Sequence, residues 1–97
     1  MDERVTMKVN GQFILRTIAD EHLLIPVGDA AFRIKGLIAL SESGALLYNK
    51  LMDGCTKDDL INVLTAEYVV SLEVAKHDVD AFLDHMRQLD MIVEDDE

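Results

Sequence analysis

Two hydrophobic periods succeed one another along the chain. From Phe13 to Ile18, "FILRTI", large apolar residues are broken only by Arg16 and Thr17, and "HLLIPV", His22 to Val27, repeats the character. Apolar runs of this length read as strands, and the short connection "ADE" joins them as a hairpin. Alternation places Leu23, Ile25 and Val27 on one face. Pro26 has no N–H to give a ladder, so it must sit at a strand end or face away from a neighbour. After the turn "GDAA", Phe32 and Ile34 alternate with Arg33 and Lys35. Gly36 interrupts, and "LIAL" is expected as a third strand over Leu37 to Leu40.

The period then lengthens to that of a helix. Ser41 or Ser43 can accept from the free amides of a helix start, and Leu47, Tyr48, Leu51 and Met52 follow at helical spacing. Gly54 ends this helix. Thr56, with Asp59 in the capping-box position and Asp58 in the first turn, opens a second helix whose buried face is Leu60, Ile61, Leu64 and Tyr68. Ser71 caps a third, with the stripe Leu72, Ala75, Val79, Phe82, Met86 and Leu89. "MIVE" leaves it as a short extended piece. Strands followed by helices predict an α+β fold with segregated layers: a three-stranded antiparallel sheet followed by three helices, winged-helix-like in type.

The length of 97 residues allows one small domain, residues 1–97, with its ordered core at about 10–93. The charged ends "MDER" and "EDDE" are expected to be mobile, solubilising tails. Nineteen acidic against nine basic residues leave a formal charge of −10, which a phosphate backbone repels. Nucleic acid is therefore not an expected partner, and basic or apolar partners fit better. A winged-helix regulator is the alternative reading of the fold. The exposed positions of the third helix oppose it, because Glu73, Asp80 and Asp84 offer nothing to base edges. No apolar run is long enough to span a bilayer, the N-terminus has no signal-peptide core, and one cysteine cannot make an internal disulfide. A cytoplasmic location with no membrane partner is expected.

Catalytic chemistry finds no support, and the chain is not expected to be an enzyme. His77 and His85 stand eight residues apart, about 80° around a helix, so no zinc pair forms, and the neighbouring Asp78, Asp80 and Asp84 read as a solvated face. Lys57 and the helix start bear on the pKa of Cys55, but no base is near it in sequence, and it reads as an incidental loop thiol. No metal or organic cofactor is expected. Two features remain. Val74, Asp78, Ala81 and His85 form a second stripe on one flank of the third helix, either a packing flank or a groove wall. "GLIAL" carries no charge, so its edge is either covered or open to another strand, including a second copy of the chain in a homodimer.

The chain resembles the PqqD-like family. The resemblance runs from Asn10 to about Val93 and rests on "IPVG", on the strand-to-helix junction "ALSESGALLYNKLMDG" and on the last helix "DVDAFLDHMRQLDMI". This chain has Ser41-Glu42-Ser43 where the family pattern is Asn-Glu-Thr, and Tyr48 where Trp is common; a cap and an aromatic are kept in each case. The resemblance implies a stand-alone recognition element and peptide chaperone for ribosomally made, modified peptides. Such an element binds the leader of a precursor peptide by β-strand addition and presents it to a modifying enzyme, often of the radical SAM type. Carried onto this sequence, the peptide-binding residues are Gly36, Leu37, Ile38, Ala39, Leu40 and Ser41 on the strand. On the helix flank they are Val74, Asp78, Ala81 and His85.

Overall fold

A computed structural model of the chain describes residues 5–96. The three expected strands are present as β2 (Phe13–Ile18), β3 (Glu21–Pro26) and β4 (Ile38–Leu40), in the order β2-β3-β4, all antiparallel. Ala19 and Asp20 close the β2–β3 hairpin, both at positive φ (51° and 69°), as the two-residue turn matched to strand twist requires. Register aligns Leu15, Leu24 and Ile38 across the sheet. That row packs on the core, with Leu24 fully buried. The inward face of β3 is therefore that of Leu24, and Leu23 and Ile25 point the other way. Both faces of this hairpin are apolar, so alternation could not choose between them.

Two further strands complete the fold, an N-terminal one that the pattern does not predict and a C-terminal one that extends the piece expected at "MIVE". β1 (Val5–Val9) pairs with β5 (Ile92–Asp96), from Val5 against Asp96 to Val9 against Ile92. Met7 on β1 is buried in the core, N-terminal to the stretch expected to pack. "MIVE" thus covers β1 and leaves β4 alone. Of the tails expected to be mobile, "MDER" lies outside the described residues, whereas residues 94–96 are held in this ladder. The alternation at Phe32 to Lys35 does not make a strand. Ala30–Arg33 is a single helical turn, α1, and Phe32 on it is 84% exposed. β3 has already ended at Pro26, so no neighbouring strand remains for these residues to pair with.

The helices start where their caps predict. α2 (Glu42–Met52) is capped by Ser41, whose Oγ accepts from the Gly44 N–H at 3.0 Å. α3 (Lys57–Glu67) has the full Thr56–Asp59 capping box. α4 (Leu72–Gln88) is capped by Ser71 and closes on Asp90 in the left-handed region, with Met91 N–H donating to the Met86 carbonyl at 3.0 Å. Ala75, Val79, Phe82 and Met86 are buried as the stripe requires. Leu72, in the first turn, is 55% exposed, and Leu83 takes the buried place beside the stripe instead. Cys55 is also buried, not a loop thiol: it bridges to Met7 through backbone bonds of 2.7 and 2.9 Å. Burial first, then the Asp59 carboxylate, pushes its thiol up to about 11 despite Lys50. No helix among the described residues is long and apolar enough to cross a membrane.

Candidate functional site

β4 is an edge of its sheet, and which of its groups are free follows from the hairpin. In a two-residue turn the flanking residues, Ile18 and Glu21, form a hydrogen-bonded pair, and hydrogen-bonded and non-hydrogen-bonded pairs then alternate. Val27 N–H donating to the Gln12 carbonyl at 2.9 Å, six residues further along each strand, keeps that parity. His22 and Leu24 therefore turn their backbone groups toward β4 and bind Leu40 and Ile38. On β4 itself only Ala39 directs both N–H and C=O outward. Ser41 offers its N–H alone, because its carbonyl accepts the Ala45 N–H at 2.9 Å. The open edge is thus shorter than "GLIAL" suggests: Gly36 (φ 95°) and Leu37 lead into the strand without belonging to it.

That edge faces α4 across a groove. Ala39, Leu40 and Ser41 form one wall, Asp78, Ala81 and His85 the other, and Ser43, Gly44, Leu47 and Phe82 complete it. Six of the ten expected residues are brought together. Val74, on the same flank but one turn nearer the start of α4, is exposed outside this groove, as are Gly36 and Leu37 at the other end, and Ile38 faces the core. The start of α2 was not anticipated as a wall. Its signal was the direct passage from strand to cap at Leu40–Ser41, which leaves no linker to carry α2 away. Gly44 permits the close approach, since a Cβ there would lie 3.2 Å from Ser41 Oγ.

Beyond Asp78 the groove continues to the α3–α4 turn, where Leu64, Tyr68 and Val70 line it opposite Ser41, Glu42 and Ser43. Its charged lining is Glu42 and Asp78, with no Lys or Arg in either part. Such a surface suits an extended, partly apolar segment that carries positive charge. A separate groove between α3, α4 and β1 collects Lys57, Lys76 and Arg87; Lys57 is paired with Asp80, and Arg87 with Glu94 at 2.8 Å. Among the described residues no group of three or more His, Cys, Asp or Glu is gathered as a metal site needs.

A family model described as coenzyme PQQ synthesis protein D (PqqD) matches residues 21–92, from the start of β3 into β5. No curated protein matches the chain. Among solved structures the chain is similar to TbiB1 in complex with the TbiA(beta) leader peptide: TM-score 0.71, 19% identity, covering 88% of this chain and 93% of that one. It is also similar to lasso peptide synthetase B1 complexed with the leader peptide: TM-score 0.71, 21% identity, covering 90% of this chain and 96% of that one. At these identities the likeness establishes the fold.

Proposed function

This chain belongs to the PqqD family, which matches it over well more than half its length, and from that premise we propose that it binds the leader region of a ribosomally made precursor peptide. The leader adds as a strand beside β4, under α4, and is presented there to a modifying enzyme, of the radical SAM type on the family's pattern. The observation that carries the proposal is the free edge at Ala39 facing Asp78, Ala81 and His85 across one groove. Backbone pairing at an open edge supplies affinity with little regard to sequence, and the groove selects alternate side chains. Both similar structures hold leader peptides, which supports this choice of ligand. Glu42 and Asp78 favour a leader with Lys or Arg at the groove, and that contribution weakens as salt rises.

The test is a titration of isotope-labelled protein with a candidate leader of roughly ten to twenty residues, read by amide shifts. Shifts should gather on residues 37–44 and 78–85, on both walls of the groove. Ala81→Arg fills the groove from an exposed position and should abolish them while leaving the spectrum of the free protein dispersed. Shifts confined to β1, β5 and α3 would refute the site.

A further inference from the structure

The three-stranded sheet has an outer face as well as an open edge. Register sets Ile14 beside Ile25, Arg16 beside Leu23 and Leu23 beside Ala39, on the side of the sheet away from the core row Leu15, Leu24 and Ile38. Ile14 is 42% exposed, and Ile18, further along β2, is 57% exposed. Leu23 and Ile25 are half-buried, yet none of these four belongs to the core. An antiparallel sheet that lays one face on its core ordinarily gives water a polar second face. Here the second face is aliphatic, with Arg16 near its centre and Glu21 at the hairpin rim. Aliphatic residues around a lone arginine are the composition of an interface core. No described carboxylate pairs with Arg16.

The occupant of this face follows from two observations. The first is continuity with the β4 groove. A strand added beside Ala39 continues the sheet, so alternate side chains enter the groove and the others stand on the outer face next to Ala39 and Leu23. A body seated on the face therefore touches the leader itself, and the fourth strand widens its footing by about a third at ~4.8 Å per strand. The second is charge. All ten excess negative charges fall on residues 42–97, where fourteen acids meet four bases, and residues 1–41 are neutral. The helical side repels an acidic partner, and the sheet face accepts one through Arg16. We propose that the outer face of β2-β3-β4 docks the enzyme that modifies the precursor, met by an apolar patch of that enzyme with a carboxylate against Arg16. The inference rests on leader binding at β4. It adds a coupling: enzyme and leader each tighten the other's binding, because each completes the surface the other meets.

Reconstitution tests this with the whole precursor, this chain and the purified radical SAM enzyme encoded beside them. The precursor's mass follows modification, and amide shifts follow leader affinity. The double variant Ile14→Thr/Ile25→Thr keeps two β-branched residues opposite each other and so keeps the strand pair. It should leave leader affinity within about twofold and raise the KM for the loaded complex about tenfold, with kcat unchanged. Arg16→Glu should raise KM by a similar factor, and Arg16→Lys should stay within about threefold of the wild type. Arg16 is exposed, so this pair decides the matter even if the double variant fails to fold. Modification indifferent to Arg16→Glu, with the leader still bound, overturns this inference and leaves leader binding standing. A wild type that binds no leader sinks both. A double variant that alters the sedimentation of the chain alone would assign the face to a second copy, which also overturns the proposal.

Discussion

In the proposed binding mode recognition turns on Ala39, because it alone on β4 sends both backbone groups outward. Ala39→Pro should weaken leader binding roughly threefold to tenfold, the worth of one hydrogen bond, with little change in melting temperature. Ile38→Pro, one residue earlier, removes an N–H that binds Leu24. It should unpair β4 from β3, and the melting temperature should fall. Calorimetry of binding and of unfolding on the two variants separates the effects. Cys55 makes a different prediction. Its folded pKa, pushed from 9.0 to about 11, lies above the unfolded value, so the folded state holds the thiol proton more tightly. The stability this contributes is present below about pH 9 and is lost as pH rises toward 11. The Tyr48 hydroxyl, also raised by burial, acts in the same direction. Denaturant midpoints should decline over that range, and the decline should lessen in Cys55→Ala. Alkylation of the folded protein near neutral pH should be slow.

At the scale of elements, α4 joins the core to the groove. Its inner stripe packs against the protein and the adjacent flank is the groove wall, so Phe82, 9% exposed, serves both. Phe82→Ala should cost about 3–5 kcal/mol by chemical denaturation and should widen the groove floor. The helices were legible in the sequence because their signals are local: Ser41, Thr56 and Ser71 each hold their own first turn. The flank Asp78, Ala81 and His85 was legible from spacing alone. What could not be read was set by distant partners. Val5–Val9 is too short and too mixed to declare itself a strand, and it becomes one because residues from the far end of the chain lie beside it. Phe32 to Lys35 alternates as a strand should, yet with nothing to pair against, its first two residues close the helical turn Ala30–Arg33 and Ile34 leaves it extended but unpaired. In the hairpin, apolar residues on both faces hid which one meets the core.

For the whole molecule, charge and topology set how it meets others. A surface with ten excess negative charges favours cationic segments, so raising the salt should weaken the proposed leader binding, measurable by titration at two ionic strengths. The three-stranded sheet is built from neighbours in sequence, each strand closing on the one before. β1 and β5 are the exception: Val5 lies beside Asp96, so this ladder closes a loop of nearly the full chain. Loop-closure entropy makes such a pairing late to form and early to open, and hydrogen exchange should find it the least protected ladder. The same adjacency brings the two ends of the described chain to one spot, with the β4 groove on a different sheet. A circular permutant that links them through a few residues and opens elsewhere would lose no strand, and the fold can be spliced into a host protein through one point of attachment.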